Sequence, residues 1–280
     1  MEEIIPGVYM ATFYPDVNVG FVCVDGGAIA IDAPALPSDA RVWRETILKT
    51  AGGPIRYTIL TDYRLDRVLS AGLLGGPIVA GRATLLRLKG LKENEIETVH
   101  QWMRHHGREE DLEGHRLPVP EIGVEGRLTI HGSPKVVIES IPGATPGSVW
   151  VRLPQGRALF TGDTLVVGTH PLLDEAPDTA AWLQTLTRLR RPHFPAEVIV
   201  PGRGPVCEKE ATRPLSEYIQ QARRRVRALH TAGRSKSAVL SLVNEFLPLF
   251  PVEKDQEEKM RERIRAGLER VFEELAPGEP

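Results

Sequence analysis

The sequence has two cysteines, Cys23 and Cys207, far apart and with no CxxC or cysteine–histidine cluster. That excludes a disulfide framework and a cysteine zinc site. No apolar run reaches the roughly 18 residues needed to span a bilayer. The opening "MEEIIPGVYM" is acidic and lacks the basic-then-apolar order of a secretion signal. A cytoplasmic location without membrane association is the expectation. Neither charge sign is in excess, since the net charge is -2, so the chain as a whole lacks the basic character of a nucleic-acid binder. With 41% hydrophobic residues over 280 positions, it can bury a substantial core. Cys23, inside "VGFVCVDGG", reads as a core residue.

The chain divides by pattern near residue 210. Before that point short β-branched runs recur between turn signals: "VGFVCV", "AIAIDAP", "IRYTIL", "PIVAG", "RLTIHG", "KVVIESI", "SVWVRLP", "RALFTGD" and "AEVIVPG". Helical patterns lie between them. "SDARVWRETILKTAGG" offers Ser38 as an N-cap and Gly52 as a stop, and "DTAAWLQTLTRLRR" opens on Asp178 and places Trp182, Leu186 and Leu189 on one face. Two sheets with helices outside them are expected for residues 1–210. Residues 211–280 read as a helical appendage, with Ser235 as a cap for its second segment. There Met260, Ile264, Leu268, Val271 and Leu275 form one apolar stripe beyond the apolar "FLPLF" at Phe246–Phe250. The stripe needs a cover, which is either the chain's own domain or a second copy in a two-fold homodimer.

The stretch "LTDYRLDRVLSAG" sets Asp62, Arg64, Asp66 and Arg67 at the end of an apolar run. Alone, such a stretch is the solvated face of a loop or helix. Three other turns change its meaning: "IPGATPGSVWVRLP", "LFTGDTLVVG" and "IVPGRGPV". In this order, after the hairpin "VNVGFVCVDGGAIAIDAP" that ends near Asp32, they resemble the turns of the metallo-β-lactamase superfamily over about residues 7–207. The resemblance implies an α+β fold, the αββα sandwich of the metallo-β-lactamase type with two mixed sheets and outer helices. Members of that family hold two metal ions with five histidines and two aspartates and use a metal-bound hydroxide for hydrolysis.

Matched position by position, the family's metal site falls on Asp62, Arg64, Asp66, Arg67, Ala144, Asp163 and Arg203. The two family aspartates persist as Asp66 and Asp163, and no histidine remains. An arginine keeps its charge at biological pH and has no lone pair for a metal. It can instead pair bidentately with carboxylates. Asp62, Asp66 and Asp163 balance Arg64, Arg67 and Arg203 in charge, so a salt-bridge network in place of a dinuclear centre is the expectation, with no cofactor. The alternative is a substitute site for zinc, iron or manganese built from Asp62, Asp163 and His170. His105 and His106 lie in the polar helical segment "ENEIETVHQWMRHHGREED". "RRRVR" at Arg223–Arg227, without interleaved aromatics, reads as a solvated helix face and not as a nucleic-acid contact.

Three function classes follow. The first is a non-hydrolytic binding or regulatory protein. The second is an enzyme of altered chemistry, in which the arginines hold a small anionic substrate and an aspartate acts as base. The third is a structural or assembly subunit. Whether the pocket is open discriminates the second, because a cluster satisfied internally leaves no donors for a ligand.

Overall fold

A computed structural model describes residues 1–92, 97 and 116–276. The histidines His105 and His106 lie outside the described residues. The first sheet is seven-stranded in the order β1-β2-β3-β4-β5-β6-β7: β1 (Glu2–Ile5), β2 (Val8–Ala11), β3 (Val19–Val24), β4 (Gly27–Ile31), β5 (Ile55–Leu60), β6 (Ile78–Gly81) and β7 (Ile122–Val124). Its first four strands pair antiparallel, and β4 to β7 pair in parallel. The second sheet has five strands in the order β12-β11-β10-β9-β8: β8 (Arg127–Ile130), β9 (Val136–Ser140), β10 (Val149–Leu153), β11 (Ala158–Val166) and β12 (Val198–Arg203), with only the β11–β12 pair parallel.

The buried residues sort into layers. Ile29, Ile31, Ile59 and Val79 from the first sheet meet Val136, Ile138, Val149, Phe160 and Val200 from the second, which is the central layer. The other face of the first sheet, through Phe21, Ala28, Ala30 and Leu60, packs on Trp43 and Ile47 of α1 (Pro37–Ala51), Val68 of the short α2 (Leu65–Val68) and Leu88 of α3 (Arg82–Lys89). The outer face of the second sheet packs Trp150, Leu159 and Ile199 against α4 (Thr179–Arg190), α5 (Thr212–Thr231), α6 (Leu240–Phe246) and α7 (Glu257–Glu274). Strands alternating their faces between two apolar layers require this arrangement, helices outside two sheets, so the αββα expectation is met. No described helix is long and apolar enough to cross a membrane.

The C-terminal stripe is covered from within the chain. Ile264, Leu268 and Val271 are buried in the same cluster as Trp150, Trp182 and Phe246, with Met260 and Leu275 packed at its margin. At Gly267 the helix comes so close to Leu173 that a Cβ would meet its side chain at 3.0 Å. The stripe is therefore packed within the chain's own core. A polar clamp fixes the same helices: Glu274 of α7 accepts hydrogen bonds from Thr179 N (3.1 Å) and Thr179 Oγ1 (2.7 Å) and pairs with Arg223 of α5. Its carboxylate thus sits at the N-terminus of α4, where the helix dipole favours it. Replacing Glu274 with Ala leaves Arg223 nearly buried without its anion. Denaturant titration is expected to show a loss of about 3 kcal/mol, the lower end for a broken buried pair.

Local expectations fared unevenly. Asp178 caps α4 as its composition predicts, accepting from Ala180 N and Ala181 N at 2.8 Å. Ser38 does not cap α1: the N-cap is Leu36, and Pro37, whose fixed φ suits a first helical turn, starts the helix. Ser235 precedes a 3-10 turn without capping it. Cys23 is half-buried at the margin of the first sheet's outer cluster rather than within the core.

Candidate functional site

The site lies at the carboxyl ends of the parallel strands, where open α/β sheets place their crevices. β4 ends at Ile31 and delivers Asp32, β5 ends at Leu60 and delivers Thr61 and Asp62, β11 carries Asp163, and β12 ends on Arg203. The chain bends after β5 at Thr61 and Asp62, Arg64 is the extended N-cap of α2, and that short helix presents Asp66 and Arg67. Asp32 adopts φ 54, a left-handed conformation rarely taken outside glycine. It is held there by Thr61, whose N–H donates to Oδ1 at 2.8 Å and whose hydroxyl donates to Oδ2 at 2.6 Å. Close backbone approach matters as well, because a Cβ at Gly202 would lie 2.2 Å from Asp163 Oδ1.

Arg67 is the centre of the cluster. Its guanidinium, 0% exposed, stands 2.7 Å from Asp163 Oδ2, 3.2 Å from Asp62 Oδ1, 3.3 Å from Asp66 Oδ1 and 3.5 Å from Asp32 Oδ2. It also donates to Thr61 Oγ1 at 3.0 Å. Arg203, 7% exposed, pairs with Asp66, with Asp163 Oδ2 at 3.3 Å and with Asp16 Oδ1 at 3.0 Å. Arg64 turns outward: it binds Asp174 Oδ1 at 2.8 Å, approaches Glu175 at 3.8 Å, and leaves its Nε 4.0 Å from Asp163 Oδ2. All three guanidiniums thus converge on one oxygen of Asp163.

The ionisation pattern follows from this packing. Burial alone would raise Asp163, but Arg203, Arg67 and Arg64 together hold its carboxyl well below the usual range. For Asp62, burial wins over Arg67, and the neighbouring charge of Asp163 adds to the upward shift. Burial pushes Asp32 up to about 7 against the pull of Arg67 and Thr61. Arg67 is raised well above its ordinary value because its ring of aspartates outweighs the burial penalty. Such a cluster is an anionic socket filled by arginine.

Six of the seven sequence-predicted positions, Asp62, Arg64, Asp66, Arg67, Asp163 and Arg203, are brought together through these contacts. Ala144 is fully buried in the turn between β9 and β10, within the apolar cluster of Ile141 and Trp150, and touches the network through no polar atom. The sequence reading missed Asp16 and Asp174 as partners of Arg203 and Arg64. No local signal marks them, since the pairs span 187 and 110 residues. The stretch "DYRLDR" is not a solvated face: Asp62 and Arg67 are buried.

The substitute metal set is not formed. His170 is buried among the C-terminal helices, its Nε2 3.3 Å from the Leu247 carbonyl and its ring edge-on to Tyr218 and Phe250, and burial lowers it to about 4. Among the described residues no group of three or more histidine, cysteine or acidic side chains is arranged to hold a metal. The dinuclear centre that the family implies does not fit these residues either. Of its five imidazole positions, three carry arginine and one alanine, which offer no lone pair, so that only Asp62 keeps a donor oxygen, and the guanidiniums of Arg67 and Arg203 occupy the space between the remaining carboxylates.

Sandwich, strand order and a carboxyl-end crevice define a metallo-hydrolase scaffold. The sequence profile of the metallo-β-lactamase superfamily matches residues 15–203, and the chain belongs to that superfamily. No curated protein matches it. Among solved structures, a metallo-β-lactamase family protein from Thermus thermophilus is similar with a TM-score of 0.69 and 18% identity, covering 99% of this chain and 97% of that one. A metallo-β-lactamase from Pontibacter korlensis gives 0.58 at 18% identity, covering 78% and 97%. A sec-alkylsulfatase from Pseudomonas sp. gives 0.68 at 13% identity; it covers 99% of this chain, which spans 50% of that protein. At these identities the likeness is one of fold.

Proposed function

We propose that this chain is a cytoplasmic, non-hydrolytic member of its superfamily, a binding protein that uses the cleft above a metal-free aspartate–arginine cluster. The observation that carries the reading is Arg67, a fully buried guanidinium with four aspartates within 3.5 Å at the place where the family keeps its metals. A fixed cation there stabilises the carboxylates without offering a site for hydroxide. Because its donors face carboxylates and Thr61, Arg67 is also closed to an anionic substrate, which disfavours the altered enzyme.

The test is elemental analysis of protein purified without chelator. Zinc, iron and manganese are each expected at well under one equivalent per chain. Two tightly held transition metals per chain would overturn the reading and return the protein to metal-assisted hydrolysis.

A further inference from the structure

A cleft of about 490 Å³ opens over the cluster, within the size range of small-molecule sites. One part of its wall is apolar, formed by Leu65, Leu88, Leu91 and Leu172. Another part is the face of α7 that presents Lys259 and Arg263, one helical turn apart and therefore side by side. The cations deeper in the site are engaged: Arg67 by four aspartates, Arg203 by three and Arg64 by Asp174. Arg263 is the exception. It is half-buried, and among the described residues it makes no hydrogen bond and no ion pair. Burial and the charge of Arg203 press its pKa down by more than the charges of Asp16, Asp163 and Asp66 raise it. A guanidinium in that position is under-compensated, which is the condition an incoming anion relieves.

The cleft also restricts the anion's charge. Asp16, Asp66, Asp174 and Glu175 line it, each already paired with Arg203 or Arg64, so the one uncompensated guanidinium among the described residues, Arg263, matches a single negative charge, and the second charge of a dianion such as phosphate would face those carboxyl groups. A monoanion can reach Arg263, with Lys259 beside it already 3.5 Å from Asp16 Oδ2, while placing an apolar body on the leucines. We infer that the cleft binds a monocarboxylate with an apolar body, its carboxylate held by Arg263 with Lys259 beside it. This assignment rests on the binding reading above and gives it a ligand class.

The experiment is isothermal titration calorimetry of the full chain with octanoate, alongside octan-1-ol, acetate and inorganic phosphate. Octanoate is expected to bind one per chain. The other three, each lacking the charge, the apolar body or the single negative charge, are expected to bind about tenfold more weakly or worse, the scale of one lost charge-assisted contact. Arg263→Gln should weaken octanoate about tenfold or more, Arg263→Lys should recover most of the loss, and Arg224→Gln, on an exposed position of α5, should change nothing. Denaturation midpoints of the variants confirm that each is folded. Phosphate or octan-1-ol binding as tightly as octanoate, or octanoate binding unaltered in folded Arg263→Gln, would overturn the assignment. Metal analysis of the same batch keeps the two ideas apart. Metal-free protein that ignores octanoate refutes the ligand class alone, whereas metal-loaded protein that binds octanoate through Arg263 refutes the metal-free reading alone.

Discussion

Arg67→Met is expected to lower the unfolding free energy by about 3–5 kcal/mol at pH 8, the cost of leaving a buried charge partner unpaired. Methionine keeps much of the apolar stem, so the loss reports the guanidinium rather than a cavity. The reason is geometric: among the described residues, removing one group takes from Asp32 and Asp62 their guanidinium partner and leaves Asp66 and Asp163 to Arg203. Arg203→Ala should fall in the same range toward its lower end, because Arg203 is slightly exposed and its Asp16 partner is half in solvent. An exposed pair would cost roughly 0–1 kcal/mol, so a deficit that small for Arg67→Met would show that the cluster is not what holds these loops.

The deficit should also depend on pH, with a sign the ionisation pattern fixes. In the parent protein Asp163, held below the ordinary range, contributes stability that is present above its unfolded pKa and lost as pH falls through the depressed folded value. Asp32 and Asp62 are raised and act in the opposite sense. Their contribution is full below the unfolded value of about 3.9 and is lost as pH rises, for Asp32 through a folded value of about 7. Removing Arg67 takes away a term that lowers all three, so the variant's native state binds protons more tightly than the parent's. Denaturant titrations at pH 5 and pH 8 should therefore show a smaller Arg67→Met deficit at pH 5. An equal or larger deficit at pH 5 would mean that the acids are not the groups left uncompensated.

A second large effect is expected from placing histidine at Asp62, Arg64, Arg67, Ala144 and Arg203 together. The two family aspartates are already in position: Arg67 and Arg203 each contact both Asp66 and Asp163, so side chains at 67 and 203 converge on those carboxylates. Removing three guanidiniums leaves an anionic socket, and imidazole supplies the lone pairs that a metal requires. The five-fold variant should retain zinc through desalting, and its unfolding midpoint should rise when zinc is added, since a ligand that binds the native state stabilises it. Ala144 is the demanding position, because its turn is closed by apolar neighbours. A folded variant that neither keeps zinc nor gains stability from it would show that the loops have moved from metal-binding geometry.

Much of this protein is determined by local sequence. Strand runs between turn signals, the Asp178 cap and the order of four turns specify the sandwich, because periodicity and turn chemistry act over a few residues. The same turns locate Asp62, Arg64, Asp66, Arg67, Asp163 and Arg203 and give the balance of charge that makes arginine the counterion of the acids. Which arginine meets which acid was decided only by the tertiary structure. Arg67 became the centre because the short helix after β5 aims it inward, whereas Arg64, three residues earlier, turns to Asp174 across 110 positions of sequence. Asp16 joins Arg203 across 187. His170 lies near the Asp163 turn in sequence, yet its ring belongs to the C-terminal helices. The apolar stripe of α7 was legible as a stripe, but its cover was not, because amphipathic periodicity states that a face must be buried and is silent on what buries it. Ion pairs and helix docking depend on where side chains meet after the chain has folded back, and no local pattern encodes that.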